Sequence, residues 1–319
     1  MDRPVTTALL VLLLAPACAA PALDSPDSTD LLDGIDADED LDARLGDLAA
    51  AADPCRGERG PGISGICSGR QPPRGPTLRV MTYNVNFGLA GDPAAAEVIA
   101  RAGADLVFLQ ETNRAWEDAL GAALGERYPH RRFAEPEGWP ASGMGLLSRW
   151  PIVSVQVLRG GGGPFYAWRV VVNAPGGPLQ AINLHLRPPV SDRGSWVVGY
   201  FSTRAGREQE ARAHLSALVR GMPALVVGDF NEGDDGRAVS AVLASGFTSV
   251  LPSFAPSAAT WRWSVNSLPL RARLDHVLHD SSFRALGGGV IDGGRSDHLP
   301  VWVDLERTGS DSPGASTSP

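Results

Sequence analysis

The sequence contains no lysine, so each of its 28 fixed positive side chains is a guanidinium. Positive charge is also in deficit, with a formal net charge of −8. The deficit is local: residues 1–76 carry 13 acids against 6 arginines, whereas residues 77–307 carry 22 of each. A neutral main body lacks the electrostatic footprint of strong nonspecific nucleic-acid binding and leaves room only for a local patch. Cysteine is scarce. None of the three lies near a histidine cluster, so a zinc site is not indicated. The N-terminal apolar run, Ala8 to Ala15, is too short to span a bilayer. There is no internal repeat. What is present is an ordinary globular composition, 43% hydrophobic over 319 residues, enough for a sizeable core in one large domain or two small ones.

The first 76 residues read as export and tethering. Residues 1–22 have the short apolar core and small residues of a signal peptide. Cys18 stands where a bacterial lipoprotein signal places its lipidated cysteine; ordinary cleavage near Ala19 to Ala22 is the alternative. Export makes a Cys55–Cys67 disulfide the expectation in an oxidising compartment, with a pair of free thiols as the other reading. Residues 23–53 are an acidic tether with a short helix at 41–52. The acids of "LLDGIDADEDLD" do not fall at calcium-loop spacing. Residues 54–76 form a Gly/Pro-rich lead-in, and 308–319 a disordered tail.

From Thr77 the pattern changes. Strands are expected at 78–85, 104–112, 143–152, 166–174, 179–187 and 224–230, and again in "ARLDHVLHD" and "LPVWVDLE". Helices are expected at 93–102, 114–126, 204–220 and 236–245. Interleaved helices and strands, with a hairpin at "PGG", fit an α/β sandwich with mixed sheets.

Several buried-looking strands end in polar groups. "TYNVNF" ends in Asn84 and Asn86, and "LVFLQET" in Glu111. "INLHLR" places Asn183, His185 and Arg187 on one face, and "VVGDFN" does the same with Asp229 and Asn231. "RLDHVL" holds Asp275, and "RSDHLPVW" holds Asp297 and His298. Each alone has a bland reading, as a turn residue, a helix-start acid or an ion pair of Asp275 with Arg273. "DFNEGDD" also fails the calcium-loop template, because Gly233 and Asp234 stand where that template wants an acid and then glycine. Together they fit an open α/β sheet, which places its sites at such strand ends.

These six motifs, in this order, resemble the endonuclease/exonuclease/phosphatase family with its deoxyribonuclease-I-like fold. The resemblance spans 77–307 and implies a four-layered α/β sandwich of two mixed β-sheets flanked by helices. It also implies cleavage of phosphoester bonds with Mg²⁺, for which Mn²⁺ or Ca²⁺ can substitute. By the same resemblance, Glu111, Asn84 and Asp297 are the metal-side residues. Asp229 positions or activates the attacking water, and Asn231 holds the scissile phosphate. His298 is the essential histidine, Asp275 orients it, and His185 binds phosphate or protonates the leaving group. Asn86 departs from the branch that has aspartate there.

That chemistry has a physical logic. A phosphodiester repels nucleophiles, and its hydrolysis needs a hard cation on oxygen ligands, a positioned base, and donors for the equatorial oxygens. Arg187 is a further phosphate contact or else a surface salt bridge. Residues 187–204, with Trp196, Tyr200 and Phe201, are a lid or else packing under the sandwich edge. Trp261 and Trp263 share a face, as a stacking platform would, though core packing is the expectation, and His130, His214 and His279 are expected at the surface. The sequence thus points to an exported monomeric phosphoesterase acting on a phosphodiester or a phosphomonoester, membrane-associated if Cys18 is lipidated. Its substrate would be a lipid head group, a small phosphodiester or a nucleic acid. An extracellular nuclease and a catalytically silent binding module are the alternatives.

Overall fold

The structure is a computed structural model that describes residues 63–67, 75–190, 196–265 and 268–308. The expected signal segment, acidic tether, Cys55 and nearly all of the tail lie outside the described residues.

Among the described residues, fifteen strands follow in chain order. They are β1 Ile63–Cys67, β2 Thr77–Asn84, β3 Leu106–Gln110, β4 His130–Ala134, β5 Met144–Ser148, β6 Ile152–Leu158, β7 Ala167–Ala174 and β8 Gly177–His185. There follow β9 Ala224–Asp229, β10 Thr248–Ser249, β11 Trp261–Val265, β12 Leu268–Ala272, β13 Asp275–His279, β14 Phe283–Ile291 and β15 Val301–Arg307. They form a seven-stranded sheet, β1-β14-β15-β2-β3-β5-β4, a six-stranded sheet, β10-β13-β9-β8-β7-β6, and the separate β11–β12 hairpin. Each large sheet is mixed: β2 runs parallel to β3, β8 parallel to β9, and their other neighbours are antiparallel.

Strand parity builds the layers. In β2, Leu78 and Val80 join the core between the sheets, whereas Met81 and Tyr83 face the helices Pro93–Ala102 and Arg114–Leu124. In β9, Leu225 and Val227 face the inter-sheet core, and Val226 faces the helices Arg204–Leu215 and Arg237–Ala244. The result is helix, sheet, sheet, helix, as expected. Helix starts follow their capping chemistry: Asp92 accepts from Ala94 N–H ahead of Pro93, and Asn113 from Trp116 N–H.

Two expectations fail, and one strand, β14, was not anticipated. β14 carries Gly287, Gly288 and Gly289 in its centre, which weakens any strand reading; a Cβ at Gly288 would sit 2.9 Å from Val250 Cγ1, so the close approach there needs glycine. The helix expected over 204–220 ends at Leu215. His214 and His279 are not at the surface but buried, at 2% and 7% exposure.

His214 has a thermodynamic consequence. Burial holds its pKa down to about 4, so the folded protein keeps the ring neutral where the unfolded chain protonates it near 6.5. Stability from this group is complete above pH 6.5 and is lost as pH falls toward 4. The expected loss is about 3 kcal/mol by linkage. In urea unfolding at pH 7 and pH 4.5, His214→Leu is expected to lose less stability than wild type on acidification. Equal losses would show that His214 carries none of the acid sensitivity.

Candidate active site

The two sheets meet at a polar seam at one end. In the six-stranded sheet, His185 pairs with Asp229 across β8–β9, and Asp229 with Asp275 across β9–β13. Residues directly opposite share a face, so the three form one row. Parity with Leu225 and Val227 turns that row toward the other sheet. From the other side, Asn84 closes β2 and Glu111 follows β3. Beneath them Gln110 Nε2 donates to Asn183 Oδ1 at 2.7 Å and to Thr82 Oγ1 at 3.0 Å, bridging the sheets inside the core.

Asp229 Oδ2 is the hub. Asn84 Nδ2 donates to it at 3.1 Å and to Glu111 Oε1 at 3.0 Å. His185 Nε2 and His298 Nε2 lie 3.5 and 3.6 Å from the same oxygen. His298 Nδ1 bonds Asp275 Oδ2 at 2.9 Å, which fixes the ring and leaves Nε2 facing the seam. His185 is fixed by Ala141 O at 3.2 Å from Nδ1 and by stacking on Phe165 with centroids 4.2 Å apart. Asp297 Oδ1 accepts from Asn86 Nδ2 at 3.1 Å, and its Oδ2 from Trp261 Nε1 at 3.1 Å.

Backbone strain concentrates here. Among the described residues, the non-glycine positions with positive φ are Asn86 at 62°, Glu111 at 60° and Asn231 at 52°. All three are seam residues, and such conformations cost on the order of 1–3 kcal/mol each. They correct the simple parity reading. Asn86 and Asn231 lie past their strands, and left-handed turns aim them: Asn231 N–H returns to Asp229 Oδ1 at 2.8 Å, and its Nδ2 donates to Leu186 O at 2.9 Å. Gly228 permits the approach of β8 and β9, since a Cβ there would lie 2.0 Å from Leu184 O.

The two histidines are held in opposite states. For His185 burial dominates and lowers its pKa, although Asp229 pulls upward. Burial also acts downward on His298, but Asp275, Asp229 and Asp297 outweigh it and hold the ring up to about 10, hence cationic. Burial raises Glu111, offset in part by the Asn84 hydrogen bond and His298. Burial also raises Asp229, with His298 pulling the other way.

This donor set fits a hard cation. Glu111 is a desolvated carboxylate with no arginine partner among the described residues, and Asp275 Oδ1 is buried without a hydrogen bond. Asp229, Asp275 and His298 place ligand-type atoms within 4.8 Å of one another. Because His298 Nδ1 is already engaged by Asp275, the oxygen-rich side around Glu111 is the better seat for an oxygen-loving ion.

Arg187 is engaged elsewhere. Its side chain pairs with buried Glu210 and donates to Gly162 O, so of its two readings the ion pair is the one seen. Arg273 pairs with Asp234 at 2.6 Å rather than with Asp275. Sequence reasoning missed Glu232, the neighbour of Asn231. Its Oε2 accepts from fully buried Arg207 at 3.0 Å, while Oε1 accepts from Ala238 and Val239 N–H at the start of the next helix. An acid just before a helix start was the available signal; Arg207 gave none, since arginine on an amphipathic helix reads as solvent-facing.

The sequence profile of the Endonuclease/Exonuclease/phosphatase family matches residues 81–298. The chain belongs to that family. Solved structures agree at the level of fold. An endonuclease/exonuclease/phosphatase from Beutenbergia cavernae is 22% identical with TM-score 0.59, covering 73% of this chain and 72% of that one. TDP2 of D. rerio complexed with single-strand DNA product is 17% identical with TM-score 0.57, covering 72% and 99%. The human Nocturnin catalytic domain with bound sulfate is 16% identical with TM-score 0.57, covering 79% and 100%. No curated protein sequence matches significantly.

Asp275→Asn tests the charge arrangement of this family member directly. It removes the carboxylate bonded to His298, so in metal-free protein the ring is expected to titrate well below its wild-type value by NMR, while circular dichroism stays native. An unmoved titration would show that Asp275 does not hold the proton on His298.

Proposed function

We propose that the protein is an exported, metal-dependent phosphodiester hydrolase. The observation that carries this reading is the seam itself: residues of the family's six strand-end motifs meet there, with Asn84, His185 and His298 around Asp229 Oδ2, Glu111 joined to it through Asn84, and Asp275 through His298. Glu111, Asn84 and Asp297 would hold Mg²⁺, which when bound neutralises phosphate charge as a Lewis acid.

The protein's own residues supply the rest. Asp229, beside the neutral His185, accepts the proton of a water that attacks phosphorus. The new P–O bond forms as the ester P–O bond opposite breaks. Cationic His298 gives its Nε2 proton to the leaving oxygen, and Asn231 fixes the phosphate through its amide. Asp275 keeps His298 charged and oriented; Asn86 and Trp261 keep Asp297 in place. The neutral body of the chain supports a small or lipid-linked diester over long DNA. Export rests on the apolar segment Ala8 to Ala15, and membrane tethering on Cys18.

With Mg²⁺ or Mn²⁺, the protein is expected to hydrolyse bis-p-nitrophenyl phosphate and at least one of sphingomyelin, RNA or plasmid DNA, and EDTA to stop it. Glu111→Gln and His298→Gln are each expected to lower kcat by about 10²–10⁴-fold without unfolding the domain. Wild type and variants equally inert toward the whole panel would leave a silent binding module. DNA cleavage far above all else would make the protein a nuclease.

A further inference from the structure

Next to the seam lies a cleft of about 370 Å³ between the β11–β12 hairpin and the loop before His298, lined by Arg262, Trp263, Leu270, Arg271, Arg295 and Asp297. It shares a wall with the candidate active site. Asp297 bonds Asn86 and Trp261, and Trp261 is bridged through its backbone to His298.

The cleft is rich in unused positive charge. Arg262 is occupied by Asp292 at 2.9 Å and Gly294 O at 3.2 Å, and both Asp297 oxygens already have donors. Arg271 and Arg295 are exposed, and their guanidinium groups have no ion pair or hydrogen bond among the described residues. Most described arginines do: beyond these two, only Arg220 and Arg237 are similarly free. Two of the four therefore line one cleft. Beside them Trp263 is 53% exposed, with Leu270 directly opposite it in the hairpin register. This corrects the expectation that both tryptophans pack in the core: Trp261 serves the site, and Trp263 faces solvent.

Guanidinium forks match the oxygens of a phosphate, and an exposed indole stacks on planar groups. We propose that this cleft is a second anion subsite, holding a phosphate group of the substrate other than the one hydrolysed. The proposal rests on the hydrolase reading above. It makes Arg271 and Arg295 specificity-determining residues and makes the preferred substrate a diester that carries another phosphate nearby.

Two measurements separate the proposal from that reading. Calorimetry in Mg²⁺ compares adenosine 3′,5′-bisphosphate with adenosine 5′-monophosphate, and inositol 1,4-bisphosphate with inositol 1-phosphate. Turnover of bis-p-nitrophenyl phosphate is followed in parallel. In at least one pair, wild type is expected to bind the bisphosphate at least tenfold more tightly, and the pair that responds identifies a nucleotide or a lipid head group as the source. The double variant Arg271→Ala/Arg295→Ala is expected to bring mono- and bisphosphate within twofold while bis-p-nitrophenyl phosphate turnover stays within twofold of wild type. Trp263→Ala is expected to weaken adenosine binding about tenfold and leave inositol binding unchanged if the planar group is a base. Equal mono- and bisphosphate binding by wild type, or a preference that survives the double variant, would overturn the subsite. A wild-type bisphosphate preference that the double variant abolishes, with no turnover by wild type, would instead overturn the hydrolase reading and leave an anion-binding site.

Discussion

The site depends on one side-chain amide. Asn84 Nδ2 sits at the end of the seven-stranded sheet and donates both to Glu111 of that sheet and to Asp229 of the other. A buried and a half-buried carboxylate that share one donor repel each other unless that donor stands between them. The amide supplies two N–H groups and no charge, so it fixes the spacing without neutralising either oxygen. Both carboxylates stay free to act on a cation or a water. An arginine there would satisfy the same acceptors and remove the negative charge a metal needs. Below, Gln110, Thr82 and Asn183 repeat the device inside the core, so the sheets are pinned in register beneath the chemistry.

The same economy governs the histidines. Both are buried, and burial alone would keep both neutral. His298 differs because Asp275 lies 2.9 Å from its Nδ1, whereas His185 offers that nitrogen to a backbone carbonyl, Ala141 O. A charged acceptor in one case and a neutral one in the other is enough to separate their states. A single fold thus presents one proton donor and one acceptor-type ring to the same oxygen.

Much of this was legible in the sequence, and the limits have physical causes. Parity and apolar runs placed β2, β7, β8 and β9 and an α/β sandwich with mixed sheets, because strands buried on both faces leave little else to read; the four layers came from the family resemblance. The site residues at strand ends were legible as types but not as geometry, because left-handed turns at Asn86, Glu111 and Asn231 break the parity that the strands obey. β14 was hidden by its glycines, and Glu210 by an ion pair to Arg187 between segments distant in sequence. Such pairings depend on which surfaces meet, and no local pattern encodes that.

The Arg207–Glu232 pair shows how far the support of the site extends. Both side chains are fully buried, and breaking a pair of that kind costs about 3–5 kcal/mol because one charge is left stranded. Glu232 is also the neighbour of Asn231 and receives the first N–H groups of the following helix. Arg207 in turn donates to Thr203 Oγ1 and to Tyr200 O, and Tyr200 Oη accepts from Gly233 N–H. The turn that bends Asn231 back onto Asp229 is therefore clamped from behind by residues of three helices, Trp196–Ser202, Arg204–Leu215 and Arg237–Ala244, and by an ion pair. That clamp explains how a left-handed, non-glycine residue is tolerated at the edge of the site: its strain is small beside the interactions that would be lost if the turn relaxed.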